Sequence, residues 1–493
     1  MSANKLHEGC PLGSDDAVQT DTVDWDGPND PENPFNWPKS KKWLLTLTAA
    51  FVTLIVCVNG TSITVAAEEI NQQFGVSDEY FPHSYWVVTS WNLGAALVPL
   101  MGLPLMEDLG VRYGYLISYA LFVISVIPQA VAQDYATLIV VRFFAGGCVG
   151  LLSNVIGGII SDVWEGEEGR SLPMSVYIWT YLVGTTIGPV IGASVLQRLN
   201  WRWIFYIQLI FYGVFFPVFY LLIRETRGPV ILKRRAQQIR RKLGSNVYAQ
   251  SEINASALLQ ILKEAIARPT NMFFTEWVLF FFTLWSAFAF GTIFIFTQSI
   301  GQVFASLYSW PAYSTGYVQV AVVVGETLGC LASFYQDHLY LQSASRNVEN
   351  PGRPIPEARL YLSVPGSFLG ITAGLFVYAW TSHPSVPWIA PAIGLGMVGF
   401  GIMTVVTAVT TYITDAYSKY AASALAAIAF GENLFAAFLP LAAQSMYRKL
   451  GFGWASSLLG FLALALSFAP VVLLIWGGEA RRRSPFMSQV SHT

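Results

Sequence analysis

Charge is scarce in this chain. Asp, Glu, Lys and Arg together make up 12% of its 493 residues, about half the 25% of an ordinary soluble domain. With 54% of the residues hydrophobic, a water-soluble globular fold is excluded. Cysteine is scarce too. Cys57, Cys148 and Cys330 lie in apolar runs, Cys10 precedes them, and no C-x-x-C occurs, so neither a disulfide framework nor a zinc site is expected. There is no G-x-x-x-x-G-K-[ST] and no H-E-x-x-H, which argues against a nucleotide-driven pump and a zinc peptidase. "GLGMVG" at 394–399 matches G-x-G-x-x-G. It sits in an apolar run with no strand before it, so tight helix packing accounts for it better than dinucleotide binding. No catalytic constellation, metal ligand set or cofactor motif is present, and the chain is not expected to be an enzyme.

What the sequence does have is apolar runs of about 20 residues, the length that spans a hydrocarbon core. They fall near 43–67, 84–105, 114–132, 136–161, 173–196, 201–223, 273–298, 313–335, 359–380, 387–411, 419–443 and 452–476. The reading is an all-α polytopic membrane protein of twelve transmembrane helices. The longest interruption divides them six and six. That gives a polar tail at 1–42, an N-terminal half at 43–223, a linker at 224–272, a C-terminal half at 273–476 and a tail at 477–493. The first 42 residues are polar and acidic, so no cleavable signal peptide is expected, and the stretch before Trp43 reads as disordered. Lys39, Lys41, Lys42, Arg112, Arg170, the linker, Arg346, Arg353, Arg359, Lys419 and Arg481–Arg483 carry the positive charge on one set of loops. The alternate loops hold only Arg198, Arg202, Arg448 and Lys449. The positive-inside rule then places both termini and the linker in the cytoplasm. "LKRRAQQIRRKLG" at 232–244 reads as a basic amphipathic helix near anionic headgroups; nucleic-acid binding is not expected of so short a patch.

Charges inside the spans are the sharper signal, because each costs a few kcal/mol or more unless paired or hydrated. Arg142, Glu326 and Glu432 lie within spans, the two acids near mid-span. Removal from water favours the neutral form of a carboxyl group, which suits a proton carrier; a structural ion pair or a permanently neutral acid is the competing reading. Glu276, near a span end, reads as a snorkelling residue. Asn59, Asn92, Asn154 and Gln208 add neutral polar groups that bond between helices or line a cavity. Asn59 is placed with Glu326, Glu432 and Arg142 as a proton-coupling or substrate-cavity residue, and Tyr177, Tyr181, Trp285 and Phe435 are candidate aromatic contacts for a substrate. "GTTIGPVIGA" at 184–193 sets Gly184, Gly188 and Gly192 four residues apart, hence on one helix face. Such a groove admits a neighbouring backbone, and Pro189 adds a kink.

The same stretch resembles the antiporter signature in the fifth span of drug exporters of the major facilitator superfamily. "WDGPNDPENPFNWP", "RFFAGGCVG", "NWRWIFYIQ", "RETRGPVILKRRA", "PEARLYL", "DAYSKYAASALAA" and "GWASSLLGF" likewise resemble the fungal twelve-span drug:proton antiporters, polyamine and azole exporters among them. The likeness runs from about Trp25 to Arg483. It implies a major facilitator fold of two six-helix halves and proton-driven export of a small amphipathic organic compound without a cofactor. A multi-pass location is expected, in the plasma membrane or alternatively the vacuolar membrane, with function as a monomer. Arg142 matches the family's fourth-span Arg, implicated there in proton coupling. Glu107, Gly110 and Arg112 in "LPLMEDLGVRYG" match the loop between spans two and three. Leu103 and Val111 stand there where the family pattern has Gly and Arg, which alters a loop thought to latch the two halves. An importer or facilitator of the same fold and a non-transporting sensor are the rival functions.

Overall fold

A computed structural model describes residues 21–244, 246–253, 258–347 and 351–488. Its spanning helices are α1 (Lys39–Thr61), α2 (Trp86–Leu109), α3 (Val111–Val131), α4 (Tyr135–Val163), α5 (Gly166–Leu196) and α6 (Arg202–Leu222), then α7 (Trp277–Tyr308), α8 (Val320–Gln342), α9 (Pro356–Thr381) and α10 (Ile389–Tyr417). Among the described residues, eleven helical runs are long and apolar enough to cross a membrane, and the last, Ala421–Arg483, is 63 residues long. At 1.5 Å per residue that is about three times what one crossing needs. Gly451, at φ 76° and ψ 165°, breaks it. Only glycine adopts this conformation without strain, and the break yields α11 (421–450) and α12 (452–483), twelve spans among the described residues.

Prolines inside α2, α3, α5, α6 and α11 would break soluble helices. Here helix neighbours can satisfy the backbone groups they free. α9 contains a π-helical stretch, Gly366–Thr372. The chain leaves one end of the bundle between α6 and α7; we call this the linker end and the opposite one the far end.

Residues 21–38, read from sequence as disordered, are ordered against the linker. Asp21–Val23 pairs in parallel with Val247–Ala249, Asp21 opposite Val247. Arg235 donates to Asp30 at 2.8 Å and also bonds Asp26. The basic helix forms as expected, over Gly228–Leu243 with Gly244 as its left-handed cap. Three of its arginines, Arg234, Arg235 and Arg240, are paired with acids of the protein, while Arg241 and Lys242 are exposed. Arg234 pairs with Glu225 at 3.3 Å, and Arg240 pairs with Glu252 at 2.9 Å and lies over the Tyr248 ring. The hydrogen bonds from Arg240 hold the Glu252 carboxyl down to about 2. Residues 1–20 lie outside the described residues.

Candidate transport pathway

A cavity of about 590 Å³ opens at the linker end between the two sets of six helices. Its mouth carries Glu107, Asp162, Glu167, Arg170, Arg227 and Asp415. Most of these are already partnered. Arg227 bridges Glu107 at 3.0 Å and Asp162 at 3.3 Å. Arg359 holds Asp415 and Asp337, each at 2.9 Å, and Tyr340 donates to Glu167. Toward the far end the walls become Asn154, Tyr177, Tyr181, Ile428 and Glu432.

Beyond that depth the halves close on each other. Tyr85 Oη donates to the Phe294 carbonyl at 3.2 Å, and Thr89 Oγ1 to the Ala437 carbonyl at 2.9 Å. Nearer the far surface, Gln444 donates to the Asp78 carbonyl and Arg448 to that of Glu79. The cavity is thus open at the linker end and sealed at the far end.

The predicted charged residues do not form one cluster. Glu432 on α11 lines the cavity, 7% exposed, and accepts a hydrogen bond from Ser286 on α7. Glu326 on α8 is fully buried at the seam with α5. Its Oε1 accepts from Thr186 Oγ1 at 2.7 Å and its Oε2 has no partner among the described residues. One residue on, Trp179 Nε1 donates to Thr327 Oγ1 across the same seam.

Arg142 on α4 lies inside the first half, fully buried, and meets no carboxylate among the described residues. Its donors reach the carbonyls of Val87 and Gly60 at 2.6 Å, that of Asn59 at 3.1 Å, and Gln129 Oε1 at 3.4 Å. The Asn59 side chain donates to Gln208 Oε1 at 2.9 Å, and Gln208 to Ser62. This polar knot joins α1, α2, α3, α4 and α6, so Arg142 and Asn59 stand apart from the cavity. Of the candidate aromatic contacts, Tyr177 and Tyr181 line the cavity. Trp285 is buried and donates to Ser367, and Phe435 packs on the core.

The glycine groove receives α1. A Cβ on Gly184 would lie 2.6 Å from the Leu54 carbonyl oxygen, one on Gly188 would strike Thr61, and one on Gly192 the Ser62 carbonyl. Thr61 Oγ1 donates to the Thr185 carbonyl at 2.5 Å, locking the two backbones. Pro189 is on the other face, where its carbonyl approaches Gly316 just before α8. The groove therefore packs within the first half, while Thr186 and Pro189, between its glycines, meet the second.

The loop between α2 and α3 departs from expectation. Its partners come not from the opposite half but from the end of α6 and the segment that follows it. Glu225 accepts from the backbone N–H of Val111 at 3.0 Å and of Arg112 at 3.4 Å, capping α3. Gly110 has φ +103°, and any Cβ there would strike Glu225. Arg112 turns outward to the Tyr220 carbonyl, and Glu107 takes Arg227. Glu276 does not snorkel either. It is 2% exposed and accepts from Ser484 Oγ at 2.7 Å and Tyr417 Oη at 3.3 Å, pinning the end of α12 to α10. Sequence reasoning gave no role to Ser286, Asp162, Gly157 or Gly158. Asp162 was detectable as an acid at a span end, but the partners of all four depend on the fold.

Residues 49–440 match the model of the Major Facilitator Superfamily. The MFS-type transporter paaT of Penicillium rubens is 34% identical over 460 residues, 93% of this chain and 82% of that protein. The efflux pump radE of Floropilus chiversii is 32% identical, over 94% of this chain and 85% of its own. Among solved structures, the proton:xylose symporter XylE aligns with a TM-score of 0.64 at 16% identity, over 89% of this chain and 96% of that one. With twelve spans, a cavity between two six-helix halves and a family match over most of its length, this chain belongs to the major facilitator superfamily.

Proposed function

We propose that the protein is a proton-coupled exporter of a small amphipathic organic compound, working by alternating access. The observation that carries this reading is the cavity open at the linker end with Glu432 at its closed end. Lys and Arg concentrate on the linker-end loops, so by the positive-inside rule this mouth faces the cytoplasm, the side from which an exporter loads. A volume of about 590 Å³ falls in the range that holds drug-sized molecules, roughly 300–1,000 Å³. Relatives that include a named efflux pump support the direction.

In this reading the two halves rock about the seams, breaking the far-end bonds of Tyr85 and Thr89 and opening Glu432 to the outside. A proton taken up there is released inward as the cargo leaves. Glu432 and Glu326 are the candidate carriers, Glu432 through access to the cavity and Glu326 through its hydrogen bond across the seam. Arg142 and Asn59 fix the positions of α1 and α2, and the groove of Gly184, Gly188 and Gly192 makes α1 and α5 move as one body. Membrane vesicles turned inside out and acidified within test the whole reading. Accumulation of organic compounds that a protonophore collapses is expected; accumulation driven instead by an acidic exterior would make the protein an importer.

A further inference from the structure

The walls of the cavity are uneven in a way that describes its cargo. On α4, Gly157 and Gly158 line the space, and a Cβ on either would meet nothing within 4 Å. These glycines serve no helix contact, so their bare backbone faces the cavity. On α11, Ala422, Ala426 and Ala429 line it at helical spacing. Leu425, Ile428 and Phe430 of the same helix also line the space, so the bare stretch is Gly157–Gly158 on α4, with the alanine row of α11 interleaved among larger apolar side chains. Tyr177 and Tyr181 border it, and Tyr181 is held flat against Phe290, ring centroids 5.3 Å apart and planes 7° from parallel. Aromatic faces and bare backbone both favour planar rings that can stack and slide close.

Charge changes with depth: the mouth carries Arg170 and Arg227 as well as acids, and the closed end an acid. The acids at the mouth have Arg227, Arg359 or Tyr340 as partners. Glu432 has only the hydroxyl of Ser286, and it is the one ionisable side chain other than tyrosine at the closed end among the described lining residues. A carboxylate there attracts a cation far more strongly than it would in water and repels an anion. Glu432 lies eleven residues inside α11 and Gly158 five from the end of α4, so with the ends of those helices level the acid sits about 9 Å deeper. That offset is the length of two or three fused rings.

Resting on the export reading above, we propose that the cavity selects a flat, positively charged organic compound, its rings against the bare backbone at Gly157–Gly158 and its cationic nitrogen toward Glu432. The test uses the full chain in lipid nanodiscs and two xanthene dyes of one ring shape and opposite charge, rhodamine 6G and fluorescein, read by fluorescence polarisation. Wild type is expected to bind rhodamine 6G and to bind fluorescein at least tenfold more weakly. Glu432→Gln should weaken rhodamine 6G tenfold or more. Gly157→Leu and Gly158→Leu project into open space, so their thermal transitions should stay near wild type while rhodamine 6G binding falls at least tenfold. Either variant, once shown to be folded, decides the point. The proposal is overturned if wild type binds neither dye, if fluorescein binds as tightly as rhodamine 6G, or if folded Leu variants keep wild-type affinity. Binding of rhodamine 6G without transport in liposomes would count against export and still support this site.

Discussion

Thr186 Oγ1 donates to Glu326 Oε1 at 2.7 Å, joining α5 of the first half to α8 of the second in the middle of the bundle. Thr186 lies between Gly184 and Gly188, whose groove holds α1. A shift of α8 against α5 is thus felt by α1 within one turn of helix. Because the other carboxyl oxygen of Glu326 is buried and unpartnered among the described residues, the bond is sensitive to whatever approaches that oxygen when the halves move.

The first prediction follows from that pair. Thr186→Val and Glu326→Gln should each impair transport, and their effects should not add. A double-mutant cycle on thermal stability in nanodiscs should give a coupling energy of about 0.5–2 kcal/mol. Strict additivity would mean that the two side chains do not interact in the membrane.

Glu432 and Glu326 can be separated by one comparison. Gln keeps the shape and much of the hydrogen bonding of Glu but cannot titrate. In acidified inside-out vesicles, the substitution at the proton carrier should abolish gradient-driven accumulation while cargo exchange across the membrane survives. We expect this for Glu432→Gln, since Glu432 alone of the two lines the cavity. If Glu432→Gln retains full protonophore-sensitive accumulation and Glu326→Gln does not, the carrier is at the seam.

The glycine groove gives a prediction that composition alone would grade wrongly. One added methyl at Gly184 reads as mild next to Gly188→Leu. In the structure even that methyl would lie 2.6 Å from a backbone oxygen of Leu54, which cannot rotate away. Gly184→Ala should therefore cost about 1–3 kcal/mol through overpacking and lower the thermal transition. Gly188→Leu should abolish transport. A wild-type transition for Gly184→Ala would show that α1 and α5 are held less tightly than this.

Spans, glycine groove and intramembrane acids were legible because each is a local pattern with a strong physical reason: a run of apolar residues, a spacing of four, a charge where charge is rare. Partners were not. Ser286 and Thr186 are ordinary hydroxyl residues about 140 positions from the acids they bond, and nothing local marks them. The segment 21–38 was misread for the same reason. Its proline and acidic content reads as disorder until Arg235, about 205 residues downstream, supplies the charge that holds Asp30 and Asp26. The twelfth span was clear in sequence but hidden in the helical run, where only Gly451 separates it.

The linker has its own pH signature. The carboxyl of Glu252, held by Arg240, titrates near 2 rather than at its ordinary 4.5. A lowered folded-state value means stabilisation that is fully present above 4.5 and lost as pH falls toward about 2. After correction for intrinsic exchange, amide protection over 247–253 should be flat from pH 7 to 4.5 and fall below that. Glu252→Gln should remove the pH step. A wild-type step centred at 4.5 would mean that the Arg240 pair does not hold in solution.

The last prediction concerns the altered loop between α2 and α3. Arg227 ties Glu107, at the end of α2, to Asp162, at the end of α4. In the second half Arg359 ties Asp337, at the end of α8, to Asp415, at the end of α10. The two triads occupy corresponding places, but the arginine of the first comes from the linker rather than from the start of α3, where Val111 stands and Arg112 points away to Tyr220. The chain between α6 and α7 is thereby attached to the mouth of the cavity. Side chains of Arg227 and Glu107 are 32% and 48% exposed, so that pair alone is worth at most about 1 kcal/mol; Asp162, at 16%, is the costlier one to leave alone. Arg227→Ala should loosen the linker-end tips of α2 and α4, raising amide exchange over 107–112 and 160–163 and slowing transport several-fold. The charge swap Arg227→Glu with Glu107→Arg restores one contact but sets a carboxylate at position 227 against Asp162, so it should rescue poorly; adding Asp162→Asn should improve it. Unchanged exchange in Arg227→Ala would show that Glu225 alone, through its bonds to the α3 backbone, holds the loop.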